Sequence, residues 1–172
     1  MKIISQAECE EWLADNIAKG LSRRQVEAGY AHYVAYKLPV NTGPKTSLAH
    51  ALTHFVEIGQ HGLFWITDWG IFPSTQNMAL FDGYRKSLGE DRAIHAAPGH
   101  VFDEADSQQL ECLFDLSLYF YWDVSVFDRT GTFLVKTSHD GYISFHARDG
   151  ARLERFRSSL DRYKLEPFSG VP

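Results

Sequence analysis

The sequence predicts an α+β fold, a single domain in which a mixed or antiparallel sheet with a C-terminal three-strand meander packs against several helices. Three observations lead there. Capping boxes and apolar residues at helical spacing recur from Ser5 to Phe120. Two tight turns, Asp128-Arg129-Thr130-Gly131 and His139-Asp140-Gly141, separate three strand-like runs near the C-terminus. The 172 residues include 12 Phe, 8 Tyr and 4 Trp, enough bulk for one packed core. No Pro- or Ser-rich linker and no repeat of about 20–50 residues interrupts the series, so residues 1–172 read as one domain.

Each element follows from local chemistry. Ser5-Gln6-Ala7-Glu8 fits a capping box, and Cys9, Trp12, Leu13 and Ile17 then fall on one stripe of a helix that should end near Gly20. Ser22-Arg23-Arg24-Gln25 repeats the box and opens a short helix through Ala28. Ala31–Leu38, rich in Tyr and Val, predicts a strand, and Asn41-Thr42-Gly43-Pro44 a turn. Leu48, Ala51, Leu52, Phe55 and Val56 predict a helix over Thr46–Ile58. Leu63–Thr67 predicts a short aromatic strand, Asp68-Trp69-Gly70 a turn, and Thr75–Leu88 a helix entered through Pro73-Ser74. The stretch around His95, Pro98-Gly99 and His100 lacks periodicity and reads as a loop, and a mostly buried helix is expected from Asp103 to Phe120. Trp122–Phe127, Thr132–Thr137 and Tyr142–Ala147 form the meander, and Leu153, Phe156, Leu160 and Tyr163 mark a last amphipathic helix.

Composition limits the partners. With 17 basic against 22 acidic residues, net −5, the chain lacks the clustered Lys and Arg that bind a phosphate backbone, so nucleic acid is disfavoured. No apolar run approaches the roughly 20 residues a spanning helix needs, and the N-terminus has no signal-like apolar region. A cytoplasmic protein without a membrane partner is the expectation. Cys9 and Cys112 form neither a disulfide framework nor a C-x-x-C pair, and both read as reduced, buried thiols. Asp103, Glu104, Asp106, Glu111 and Asp115 form a stretch without Lys or Arg, a negative field suited to a basic protein partner. The competing reading is that acids at a helix start serve its dipole.

Several motifs suggest chemistry and each has a plainer reading beside it. His50, His54 and Glu57 are spaced to share a metal. At about 100° per residue, with His50 at zero, His54 lies at about 40° and Glu57 at about −20°, whereas Leu48, Ala51, Leu52 and Phe55 span roughly 100° to 200°. The histidines therefore point away from the core, and no metal or other cofactor is expected on this spacing alone; His95 and His100 would have to converge on the same face. Gly43-Pro44-Lys45-Thr46 superficially resembles a phosphate loop, but Leu38 stands where the first glycine belongs and Pro44 removes a backbone donor. Ser138-His139-Asp140 holds the three residue types of a hydrolase triad, yet neighbours in one tight turn cannot align along a proton-transfer path. The segment Trp65–Ser74 is the most distinctive. Trp65, Asp68, Trp69 and Phe72 are candidates for a binding wall, with Arg85 as a nearby cation, because Trp beside a polar anchor buries large area at little entropic cost; the alternative is a core plug.

The run Trp65 through Pro73-Ser74 to Asn77, followed by Tyr84-Arg85 and Ser87-Leu88-Gly89, resembles a bacterial family sharing a W-I-T-D/E-W-G-I-x-P-S core. The resemblance spans residues 36–145 and takes in Tyr36-Lys37-Leu38-Pro39 and Ser138-His139-Asp140. It implies a single bacterial domain and carries no activity onto any residue. In its small, acidic, aromatic-rich character the chain is similar to immunity proteins of bacterial toxin systems. The resulting expectation is a non-enzymatic recognition protein, an inhibitor of a toxin-like partner, binding through Trp65, Asp68, Trp69, Phe72 and Arg85 and through Asp103, Glu104 and Asp106. The alternatives are a hydrolase, using either a metal or a His–Asp acid–base pair, and a small-molecule sensor with an apolar pocket beside Trp65 or Trp69.

Overall fold

The computed structural model describes residues 1–57, 61–69 and 78–170. Along the chain come β1 (Lys2–Ile4), α1 (Gln6–Asn16), α2 (Arg23–Ala28), β2 (His32–Lys37), α3 (Thr42–Glu57), β3 (His61–Asp68), α4 (Met78–Ser87) and β4 (Gly99–Asp103). They are followed by α5 (Ser107–Phe120), β5 (Asp123–Asp128), β6 (Phe133–Ser138), β7 (Tyr142–Ala147) and α6 (Gly150–Leu160). All seven strands join one antiparallel sheet in the order β1-β4-β3-β5-β6-β7-β2, and the C-terminal meander β5-β6-β7 is contiguous within it. The protein is a single α+β domain, as the residue pattern predicts.

Alternation along the strands divides the core in two. On the inner face Phe64, Ile66, Val124, Val126, Phe133, Val135, Ile143 and Phe145 pack under α3, α4, α5 and α6. Phe55 of α3 sits edge-on to Phe133, Phe145 and Phe156, and Phe145 stacks on Phe156 at 4.0 Å. On the outer face a smaller cluster joins Leu63, Trp65, Phe127 and Leu134 to Cys9, Leu13, Val26 and Tyr30 from α1, α2 and the turn after α2. That cluster stops at Leu134 on β6. Beyond it the outward residues of β6, β7 and β2 turn polar: Lys136, Ser144, His146 and the half-exposed Tyr33. The C-terminal residues pair along the free edge of β2 through Lys37 N–H to Glu166 C=O and Phe168 N–H to Ala35 C=O. This brings the Phe168 ring onto Tyr142 at 4.5 Å.

Both capping boxes form: Ser5 Oγ accepts from Glu8 N–H while Glu8 accepts from Ser5 N–H, and at α2 Gln25 Oε1 accepts from both the Ser22 N–H and the Ser22 hydroxyl. The first helix closes at Asn16 rather than near Gly20. Helix α3 starts at Thr42, so Gly43-Pro44 belongs to its first turn instead of a preceding turn; proline is tolerated there because that N–H has no intrahelical acceptor. Two strands lie where the residue pattern shows none. β1 is three residues long, and the expected loop at His100 is β4, hydrogen-bonded between β1 and β3. Asp103 ends β4, and a 3-10 turn, Glu104–Asp106, separates it from α5. The predicted turn at Gly70 and the entry to α4 through Pro73-Ser74 and Thr75 lie outside the described residues.

Candidate functional site

The distinctive aromatic segment divides between core and edge. Trp65 is 1% exposed, its indole N–H donates to Gln6 Oε1 at 3.2 Å, and the Arg23 guanidinium stands 5.5 Å above its ring. It pins α1 and α2 to the sheet and is not part of an open wall. Asp68, half-buried, closes β3 opposite Asp123 after a bulge, and Trp69 packs half-buried against the main core. Phe72 lies outside the described residues. Arg85 is an interior residue, 1% exposed, and donates from Nη1 to Ala97 C=O at 2.7 Å and from Nη2 to Arg92 C=O at 2.9 Å. Sequence reasoning expected a cation beside a pocket; α4 turns that position inward over Phe81.

The acidic stretch is largely committed to local structure. Asp103 accepts from Ala105 N–H at 2.8 Å, and Asp106 is buried, accepting from Asp103 N–H and pairing with the Met1 amino group. Glu104 is exposed. Glu111 lies 3.1 Å from His50 Nδ1, an exposed pair between α5 and α3. His54 and His95 are exposed, and the Glu57 side chain lies outside the described residues. His100 is fully buried beside Phe64 and Phe81, and burial, then the Arg85 charge, pushes its pKa down to about 3. Among the described residues no group of three His, Cys, Asp or Glu could hold a metal ion. Cys9 is buried, with its thiol pushed up to about 12 by burial, then by Glu10 and Glu8. Cys112 is exposed rather than buried, because its position on α5 faces outward. Lys45, from the phosphate-loop-like motif, is buried with Nζ 3.8 Å from the Tyr121 ring centroid.

What the fold does bring together is a polar pocket of about 240 Å³ on the outer face. It lies where the apolar cluster ends and before Phe168 covers the sheet. Arg23, Arg24 and Glu27 of α2 form one wall; Thr67, Asp123, Lys136, Thr137, Ser138 and Tyr142 supply the floor and far side. Strand alternation aims Lys136 and Ser125 outward at the same level, and the i, i+4 spacing of Arg23 and Glu27 places both over them. Glu27 accepts from Arg23 Nη1 at 3.0 Å, Ser125 Oγ at 2.9 Å and Lys136 Nζ at 3.3 Å. Beside this network Ser144 Oγ lies 2.9 Å from His146 Nε2, and burial, then Lys136, pushes the His146 pKa down to about 4.

At the pocket's end His139 finds its acid on another strand. Asp123 Oδ1 lies 2.7 Å from the His139 backbone nitrogen, whose N–H it accepts, and 2.9 Å from ring Nδ1, whereas the neighbouring Asp140 is 3.6 Å from Nε2. Burial opposes the imidazolium, but the Asp123 bond and the surrounding carboxylates outweigh it and raise the His139 pKa. The three-residue-type motif in the turn therefore hides a cross-strand pair whose acid lies 16 residues earlier. An apolar groove of about 280 Å³, bordered by the exposed Leu80 and Tyr119, lies on the helical side of the molecule.

No family model, curated protein or solved structure matches the chain in comparisons with known proteins. No helix among the described residues is long and apolar enough to cross a membrane.

Proposed function

We propose that this protein is a non-enzymatic recognition domain that binds a protein partner, as an inhibitor of a toxin-like protein does, and that its binding surface is the outer sheet face around the polar pocket. The observation carrying this reading is the pocket itself. It is an accessible, mostly polar depression on the sheet, with the exposed Arg24 in its lining and with Arg23 and Lys136 each paired to Glu27. Fixed charge of this kind suits an interface, where pre-arranged groups lose little entropy on binding and complementary charge sets orientation. The expected Asp103–Asp106 surface supports the reading less, since Asp103 and Asp106 serve their own turn. Binding titrations against proteins encoded beside its gene test it. A complex tighter than about 10 μM, roughly −7 kcal/mol, is expected, and no binding at that level to any of them overturns the proposal.

A second reading, a His–Asp acid–base hydrolase, draws on the His139–Asp123 pair at the pocket's edge. Turnover of a chromogenic ester or phosphoester that His139→Asn abolishes would favour it over recognition.

A further inference from the structure

We infer that the pocket between α2 and β6 is a binding site for an oxyanion, a carboxylate or a phosphate group. The inference rests on the recognition reading only for which face is used, since its test needs no partner.

A count of donors against acceptors carries it. The pocket is lined by three cations, Arg23, Arg24 and Lys136, and two acids, Glu27 and Asp123. Both acids have their charge answered from within. Glu27 accepts three hydrogen bonds from Arg23, Ser125 and Lys136, and Asp123 is held by the backbone and ring of His139. The donors are not exhausted in return. Among the described residues Arg23 bonds to protein acceptors through Nη1 alone, leaving Nε and Nη2. Lys136 donates once, to Glu27, and keeps two N–H groups. Arg24 is exposed, lines the same space and makes no ion pair with the described residues. A surplus of charged donors over acceptors in one depression is the complement of a ligand made of acceptors, and guanidinium groups match the two oxygens of a carboxylate or phosphate. Among the lining residues cations outnumber acids three to two, although the chain as a whole carries net −5, and Asp68 and Asp140 stand only at the His139 end, away from Arg24.

Size narrows the class. About 240 Å³ is below the roughly 300–1,000 Å³ of pockets that enclose drug-sized ligands. The space suits an oxyanion head group.

The test is a titration of the full chain, followed by amide and arginine side-chain NMR, with inorganic phosphate in one arm and N-acetylglutamate in the other at constant ionic strength. Saturable shifts confined to Arg23, Arg24, Lys136 and their neighbours are expected, with a dissociation constant below about 10 mM. A low-millimolar value in the N-acetylglutamate arm points to the acidic side chain of a protein partner, and a submillimolar value in the phosphate arm to a free phosphate compound. Arg24→Ala, which removes an exposed side chain, should weaken binding about tenfold. Glu27→Gln, which removes the internal counter-charge, should tighten it at least about threefold. Absence of saturable shifts in both arms overturns the inference, as does binding unaffected by Arg24→Ala. A pocket that fails this test while a partner still binds leaves the recognition reading standing.

Discussion

Arg85 brings a guanidinium into the interior, where its two bonds go to main-chain carbonyls, Ala97 and Arg92, in the segment before β4. Truncation would strand both carbonyls and leave a void, so Arg85→Ala should cost about 3 kcal/mol or more in urea unfolding. Lysine cannot span the two acceptors in the same way and should not restore the loss fully. The buried imidazoles set a pH dependence. Neither His100 nitrogen closes a hydrogen bond of good geometry, the nearby acceptors being the Phe64 and Pro98 carbonyls. The His100 ring protonates in the folded state only near pH 3 and that of His146 only near pH 4, against 6.5 for an ordinary histidine. Between these values the unfolded chain binds protons that the folded chain refuses. Their contribution is thus complete above pH 6.5 and falls as pH drops, by up to about 1.4 kcal/mol per unit for each imidazole. His139, whose value is raised, acts in the opposite direction and offsets a part. Urea midpoints measured from pH 7 to pH 4.5 should fall steadily, and His146→Gln should reduce that slope. A pH-independent midpoint would contradict the buried, neutral state of both rings.

At the scale of elements, what the sequence reveals depends on how far apart the cooperating residues are. The two capping boxes and the β6–β7 turn are written within four residues and were readable. Helix α3 was readable from its apolar stripe, although its first turn was not, because Gly43-Pro44 resembles a breaker until Pro44 is seen to occupy a position that needs no N–H. β1 and β4 were hidden for a different reason: their identity comes from each other. A Cβ at Gly99 would run into Cys9 Sγ and Ile4 Cγ1, so the glycine in β4 is what allows α1 and β1 to approach, a fact visible only once all three are packed. Gly99→Ala should therefore destabilise by about 2 kcal/mol or more, through overpacking. Gly43→Ala, where nothing lies within 4 Å, is the control and should change stability by less than about 1 kcal/mol. Thermal or urea unfolding of the two variants checks both statements.

For the whole molecule, one sheet serves two cores, and the mismatch between them creates the site. Helices α3 to α6 cover the inner face, whereas α1 and α2 carry the outer cluster only as far as Leu134, leaving Lys136 and its neighbours accessible. The candidate site was less legible than the fold. Trp65 and Arg85 stood out by residue type, but alternation and helix phase turn them inward, whereas Arg23, Glu27, Asp123 and Lys136 are unremarkable one at a time and meet only through strand register. The Glu27–Lys136 contact joins positions 109 apart, and no local pattern reports it. The central claim is that recognition uses this face. The most direct measurement is the hydrogen-exchange footprint of a partner complex. Protection gathered over α2 and the β6–β7 turn, from Arg23 to Ala28 and Lys136 to Tyr142, is the predicted result. Protection over the apolar groove at Thr42–Thr46, Leu80 and Asp115–Phe120, with α2 and β6 unchanged, would contradict it.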